Sequence, residues 1–242
     1  MKIALLGYGK MGHEVEKTAI EQGHTIGIII DNENDWLQKV EKLKDCDVAI
    51  EFSIPTTTVE IMRRCFELQV PVVVGTTGWY DQFQAVTDMC LKSNGTLFYA
   101  SNFSIGINIF SDINRRLASL LEKYPMYLPS VTETHHTRKL DSPSGTAITL
   151  ANDIVESNWL YKGYSAEVPE AGKIPVNSIR EGNVTGIHTI SWNSEVDQIT
   201  ITHEAKNRQG FAMGALMAAL WVKNRKGVFS MKDMLDLEKN PT

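Results

Sequence analysis

The chain has 242 residues, 43% hydrophobic and 22% charged, with 17 Gly and 8 Pro. That is enough for one large or two modest globular domains, and it excludes disordered, collagenous and low-complexity proteins. Lys and Arg total 24 against 29 Asp and Glu, a net charge of −5, and with no long basic run or aromatic-basic interleaving, nucleic acid is not an expected partner.

From residue 1 to about 102, short apolar runs alternate with amphipathic stretches, the rhythm of βαβ units on a parallel sheet. Expected strands are Ile3–Leu6, Thr25–Ile30, Asp47–Phe52, Val70–Val74 around Pro71, and Thr96–Ala100, nearly continuous in Ile, Val and Leu as doubly covered strands should be. A helix is expected over Met11–Gln22 with Gly23 as its C-terminal cap, and another after Pro55, where Val59, Ile61, Met62, Cys65, Phe66 and Leu68 form an apolar stripe. Beyond Asn102 the texture changes. A helix over Ile105–Glu122 leads to Pro125, strand-like segments follow, and Gly182–Trp192 with Val196–His203 read as a long antiparallel pair joined through Asn193-Ser194-Glu195. Phe211–Lys223 is an apolar helix too short to span a bilayer, and is expected to be buried. The fold class expected is α/β: a Rossmann-type parallel sheet over 1–102, on which the segment 210–242 packs back, and an α+β domain over 103–209. No apolar stretch reaches ~18 residues and the opening Met1-Lys2-Ile3-Ala4 lacks a secretory pattern, so a cytoplasmic protein without a membrane partner is expected. The three cysteines, Cys46, Cys65 and Cys90, lack any Cys-x-x-Cys spacing and read as buried small hydrophobes.

Gly7-Tyr8-Gly9-Lys10-Met11-Gly12 fits G-x-G-x-x-G between a strand and a helix. In that setting Gly7 serves a tight turn, Gly9 lets the backbone approach a pyrophosphate, and Gly12 allows close helix-strand packing at a positive helix N-terminus. Asp31 ends the second strand about 20 residues on, where a carboxylate accepts from ribose hydroxyls. It is followed by Asn32-Glu33-Asn34-Asp35, with no basic reader for a 2′-phosphate, so NADH is expected over NADPH unless Lys10 or Lys39 intervenes. Gly75-Thr76-Thr77-Gly78 and Tyr99-Ala100-Ser101-Asn102 fall at carboxyl ends of strands, where ligands of parallel sheets sit.

The densest chemistry lies in Glu133-Thr134-His135-His136-Thr137-Arg138-Lys139-Leu140-Asp141-Ser142-Pro143-Ser144-Gly145-Thr146-Ala147. If residues 133–139 are extended, Glu133, His135 and Lys139 share a face and His136 points away. His135 and Lys139 could then protonate an imine or carbonyl and neutralise a carboxylate. Pro143 suits the first turn of a helix over Ser144–Ser157, putting the Gly145 and Thr146 amides where an anion binds. The alternatives are solvated charges, or a metal at the His-His pair, for which no third ligand is evident from spacing, so no metal is assigned.

The segment Glu133–Ala147 resembles the 4-hydroxy-tetrahydrodipicolinate reductase family, formerly called dihydrodipicolinate reductase. The resemblance extends over Gly7–Gly12, Gly75–Gly78, Ala100-Ser101-Asn102-Phe103-Ser104, and Arg180-Glu181-Gly182 through Gly186, His188, His203, Ala205, Arg208, Phe211 and Gly214. It implies a dinucleotide-binding domain, and a substrate domain whose sheet assembles a homotetramer, with hinge closure between the two. The implied reaction, in diaminopimelate and lysine biosynthesis, is hydride transfer from NADH or NADPH to C4 of the 4-hydroxy-tetrahydrodipicolinate framework with loss of water. Carried over, His135 resembles the proton donor/acceptor and Lys139 the second proton donor. His136, Gly145 and Thr146 match contacts to a small dicarboxylate substrate. Gly7, Tyr8, Gly9, Lys10, Met11, Gly12, Asp31, Gly75, Thr76, Thr77, Tyr99, Ala100, Ser101 and Asn102 match cofactor-binding segments.

The glycine loop is one residue shorter than the Gly-x-x-Gly-Arg-Met-Gly form frequent in the family, with Lys10 in place of Arg. Two rival readings are another two-domain nicotinamide dehydrogenase, which would not require the whole His135–Thr146 string, and a non-catalytic NAD sensor, which would leave His135 and Lys139 idle.

Overall fold

The computed structural model describes residues 1–166, 170–207 and 209–237. The chain forms two compact units: Met1–Ile105 with the segment from Gln209 onward, and the residues between Gly106 and Arg208. In chain order, β1 (Lys2–Leu6), α1 (Lys10–Glu21), β2 (Thr25–Ile30), α2 (Glu33–Lys39), β3 (Val48–Glu51), α3 (Pro55–Glu67), β4 (Val72–Val74), α4 (Phe83–Lys92) and β5 (Thr96–Tyr99) build the first unit. The second holds α5 (Ile105–Leu121), β6 (Leu128–His135), α6 (Gly145–Ser157), β7 (Tyr164–Ser165), β8 (Ile174–Arg180), β9 (Ile187–Asn193) and β10 (Gln198–Glu204). The chain then returns to the first unit with α7 (Gln209–Val222), β11 (Gly227–Phe229) and α8 (Met231–Leu235).

The first unit is a six-stranded parallel sheet in the order β11-β5-β4-β3-β1-β2. Because strand side chains alternate, Ala4 and Leu6 of β1 enter one core with Trp36, Ile61, Met62, Phe66 and Val86, whereas Ile3 and Leu5 enter the other with Val15, Ala215, Leu216 and Val222. Both faces are therefore covered, the arrangement that all-apolar parallel strands require. All three cysteines are free and buried on the first of these faces. Gly23 (φ +75°) closes α1 through its own N–H to Ile20 O (3.0 Å) and that of His24 to Ala19 O (2.9 Å). The strands flanking β1 are β2 and β3, so the chain reverses direction across the sheet there, and a crevice opens at their carboxyl ends.

The second unit is a five-stranded mixed sheet in the order β10-β9-β6-β8-β7. One face is covered by α5 and α6 over a core that includes Phe110, Leu150, Ile154, Val131 and Trp192. On the opposite face, hydroxyls line up across strands: Thr132 pairs with Thr189 and Thr189 with Thr202, while Ser130 pairs with Ser191 and Ser191 with Thr200.

Several segments depart from expectation. β4 begins at Val72, not Val70, because Pro71 has no N–H and only its carbonyl joins the ladder, accepting from Ala49 N at 2.8 Å. The strand expected from Gly182 starts at Ile187, since the N–H of Val184 turns back to Glu181 O (3.3 Å) and Gly182 has φ +46°. Residues 133–139 are not extended throughout: β6 ends at His135, and Lys139 N bonds to His136 O (3.1 Å) in a turn. Pro143 stands before the cap of α6, not in its first turn, and Ser144 takes the cap position.

Candidate active site

In the glycine loop, each position has a steric signature. Gly7 has φ +89°, and a Cβ there would lie 2.3 Å from Phe52 O at the end of β3. A Cβ on Gly12 would lie 2.6 Å from Gly7 O, so α1 packs directly on the turn. Gly9 caps α1 without a side chain and faces open space, with nothing within 4 Å of a Cβ. A turn closed against backbone on two sides and open at the helix N-terminus is a cradle that fits a pyrophosphate. Lys10 and Met11 are the first residues of α1, and Lys10 is exposed.

Asp31 follows β2 directly, and its Oδ1 accepts from Tyr8 N at 2.6 Å. It lines a cavity of about 250 Å³ with Gly7, Trp36, Ser53, Glu60 and Arg64. This cavity holds a cation that no spacing in the sequence indicated. The Arg64 guanidinium lies 4.7 Å from the Trp36 ring centre, bonds to Glu60 (2.8 Å), and stands 3.7 Å from Glu33. Glu60 is shared with Arg63, and these guanidinium contacts hold its carboxyl down at about 2. Lys39 pairs with Asp35 and bonds to Ile29 O (3.2 Å).

The other two loops differ in what they leave available. Thr76 is buried, and its hydroxyl donates to Glu51 (3.0 Å) while accepting from Ser53 N (2.9 Å), so that side chain ties two loops together. Gly75 packs against the Phe52 ring, and Thr77 is exposed. Tyr99, at the end of β5, packs edge-on against Phe83 and Trp79; Ala100 is buried, Ser101 exposed, and Asn102 Oδ1 accepts from Ser104 N (2.9 Å).

In the second unit, His135 and Lys139 lie in one network. Glu133 is wholly buried at the centre of it. Its Oε1 accepts from Ser144 N (3.0 Å), Ser178 Oγ (2.8 Å) and Arg180 Nη2 (3.0 Å), while Oε2 lies 3.0 Å from His135 Nδ1. Burial pushes the Glu133 carboxyl up, but the bonds from Ser144, Ser178 and Arg180 outweigh it and leave it below its ordinary value. Arg180 also donates to Asp141 O (2.6 Å), and the Asp141 carboxylate pairs with the Lys139 ammonium (2.7 Å). At the start of α6 the Ser144 hydroxyl caps Ala147 N (3.1 Å), leaving the Gly145 and Thr146 amides without a protein acceptor among the described residues. His136 is half-buried beside this turn in sequence, and its Nδ1 has no partner.

Sequence spacing did not place His188. It is buried on β9, with its ring 5.1 Å from that of His135 and its Nε2 3.5 Å from Ser144 Oγ. The pairing of Glu133 with His188 across β6 and β9 is a matter of register, visible only once the sheet is formed. Among the described residues, Glu133, His135 and His188 bring potential ligand atoms within 4.8 Å of one another. Arg180 on Glu133 and the nearby Lys139 put positive charge against a cation there, and the carboxylate is already saturated on one oxygen. Arg208 lies outside the described residues, as do 238–242 of the C-terminal segment.

Burial, and to a lesser extent the neighbouring His135, depress the His188 pKa from 6.5 to about 4. The unfolded chain therefore takes up a proton near pH 6.5 that the folded one refuses until about pH 4. Stability is then lost as pH falls through that window, by up to about 3 kcal/mol. Urea denaturation at a series of pH values should show this slope, and His188→Asn should flatten it. An equal slope in the variant would remove His188 as its source.

A family model described as Dihydrodipicolinate reductase, N-terminus, matches residues 1–103, and one described as Dihydrodipicolinate reductase, C-terminus, matches 106–235. The 4-hydroxy-tetrahydrodipicolinate reductase of Christiangramia forsetii is 45% identical over 243 residues, covering 99% of this chain and all of the relative. That of Buchnera aphidicola subsp. Schizaphis graminum is 37% identical over 207 residues, covering 81% and 74%. Among solved structures, a dipicolinate-bound dihydrodipicolinate reductase from Paenisporosarcina sp. TG-14 superposes with a TM-score of 0.76 at 25% identity, covering 95% of this chain and 97% of that one. An amine dehydrogenase from Mycobacterium smegmatis shares the fold alone, at a TM-score of 0.61 and 12% identity. With both halves matched in order and a relative 45% identical from end to end, the chain belongs to the dihydrodipicolinate reductase family and is an oxidoreductase.

Proposed function

We propose that this protein reduces 4-hydroxy-tetrahydrodipicolinate to tetrahydrodipicolinate with loss of water, using NADH in preference to NADPH, in diaminopimelate and lysine biosynthesis. The observation that carries this reading is the joining of His135 and Lys139 in one network beside a helix turn with two unused amides. A dicarboxylate needs local positive charge in a protein of net charge −5, and that turn with His136, Lys139 and Arg180 supplies it.

In this reading the Gly145 and Thr146 amides and His136 bind substrate carboxylate, which fits the dipicolinate named in the Paenisporosarcina structure. His135 gives and takes a proton, and Lys139 is the second proton donor. The cofactor is bound by the loop Gly7 to Gly12, by Asp31 on the ribose, by Gly75 to Thr77 and by Tyr99 to Asn102. When bound it supplies the hydride, leaving orientation and protons to the protein. No metal is assigned a role. The same reading carries a cytoplasmic enzyme and a homotetramer, the latter associating through the exposed hydroxyl rows of the second sheet. Light scattering tests the tetramer: a mass other than four times that of the chain removes it.

Absorbance at 340 nm with freshly generated substrate tests the reaction. Oxidation of NADH, faster than of NADPH, is expected; none from a folded, NADH-binding protein overturns the assignment. Preference for NADH is supported by the carboxylates around the cavity beside Asp31 and by the engagement of Arg64 with Glu60 and Glu33. Asp31→Ala should weaken NADH binding much more than NADPH binding by fluorescence titration, because it removes the ribose acceptor and also a charge that repels a 2′-phosphate. Equal losses would take that role from Asp31.

A further inference from the structure

The carboxylate of Glu133 is divided between two tasks. One oxygen gathers Ser144 N, Ser178 Oγ and Arg180, and the other stands 3.0 Å from His135 Nδ1. Neither Oε2 nor Nδ1 makes a hydrogen bond to any described residue, and their 3.0 Å approach to each other is not aligned as one. A wholly buried carboxylate kept ionised by three donors, facing a buried ring nitrogen, strongly favours a proton on that nitrogen. Contacts of this kind in an unliganded site commonly align and tighten when substrate arrives.

With the proton on Nδ1, Nε2 of His135 carries the lone pair. Gly186 lies beside that nitrogen: a Cβ there would come within 3.1 Å of His135 Nε2. The absent side chain at that position leaves room over the nitrogen. The other arm of Glu133 reaches Ser144, the residue that caps α6 and so sets the two amides at its start.

We propose that Glu133 is the positioning residue of this site, holding His135 as the Nδ1–H tautomer with Nε2 toward substrate and, through Ser144, fixing the carboxylate-binding turn in register with it. This rests on the reaction proposed above, but the tautomer can be read without any reaction. In ¹⁵N-edited NMR of the unliganded protein at neutral pH, with His135 assigned by difference against His135→Gln, the expected pattern is Nδ1–H with an unprotonated Nε2. The opposite tautomer overturns the proposal whether or not the protein turns over substrate.

Two variants test the coupling. Glu133→Gln should lose the tautomer preference, lower kcat about 10–100-fold and raise KM for the dicarboxylate, with NADH affinity unchanged. Glu133→Asp, which keeps the charge but is too short for both arms, should keep one of the two properties. Unchanged kcat and KM in a folded Glu133→Gln protein would overturn the proposal, as would loss of activity with the tautomer retained. Gly186→Ala should lower kcat while leaving the tautomer as it was; normal turnover would remove Nε2 from contact with substrate. If neither Glu133 variant folds, the tautomer in the parent protein and the Gly186 variant still decide.

Discussion

Replacing His135 with Gln should yield a folded protein that binds NADH normally and turns over 4-hydroxy-tetrahydrodipicolinate about 10²–10⁴-fold more slowly, the range for loss of a general acid-base group. Gln is close in size to His and keeps a polar contact to Glu133, so the network of Ser144, Ser178 and Arg180 around that carboxylate should stand. What is lost is a group able to change protonation near neutrality. Burial lowers the His135 pKa below its ordinary value despite the opposing charge of Glu133, which favours the neutral ring at rest, ready to accept a proton. Lys139→Ala should reduce kcat as well. It also frees Asp141, whose carboxyl the Lys139 ammonium holds below the usual range. Steady-state rates at 340 nm with separate titration of NADH check both variants. Parental turnover in the His135 variant would exclude it from the chemistry.

Gly214→Ala should be strongly destabilising, although it adds a single methyl group to a helix. In an ordinary helix that change stabilises by up to about 1 kcal/mol. Here the added carbon would lie 1.8 Å from Phe103 O and 2.9 Å from Phe103 C, both backbone atoms, so no side chain can swing aside. Either α7 lifts from the sheet or the 100–103 segment moves, and overpacking of this kind costs about 1–3 kcal/mol, or more against backbone. At roughly 2–4 °C per kcal/mol for a chain of this size, a fall of about 5–10 °C in Tm is expected. Because Ala100 to Asn102 are assigned to the cofactor, NADH affinity should fall with it. Thermal unfolding at or above the parental Tm would mean that α7 packs less closely on Phe103 than this contact requires.

The first unit was largely legible because its information is local. Continuous apolar strands, a glycine loop in context and Pro55 at the start of α3 each act within a few residues. β11 escaped notice since three residues are too few to show periodicity, and it becomes a strand only by lying against β5. In the second unit the residues around His135 stood out in sequence, but their geometry did not. Strand alternation suggested that Lys139 shares a face with His135, whereas the chain turns after His135 and the two are joined through Asp141, Arg180 and Glu133. Arg180 and His188 reach Glu133 from neighbouring strands, and Arg64 reaches the Asp31 cavity from a different crossover helix, so no local spacing could signal either. Thr76, expected in a cofactor-binding loop, shows the converse: its hydroxyl is consumed by Glu51.

The second unit is inserted between β5 and α7, which means the first unit is made in two instalments on the ribosome. When residue 105 has been synthesised, Ile50, Val73 and Phe98 on one sheet face still lack Ala215, Leu216, Ala219 and Val222, which α7 will later bring. At translation rates of about 5–20 residues per second, that face waits on the order of 10 s for its cover. Meanwhile the 106–207 segment can fold on its own sheet. Nascent chains stalled with residue 105 just clear of the exit tunnel should therefore be bound by a hydrophobic-surface chaperone and be protease-sensitive, and chains with α8 also clear of the tunnel should be neither.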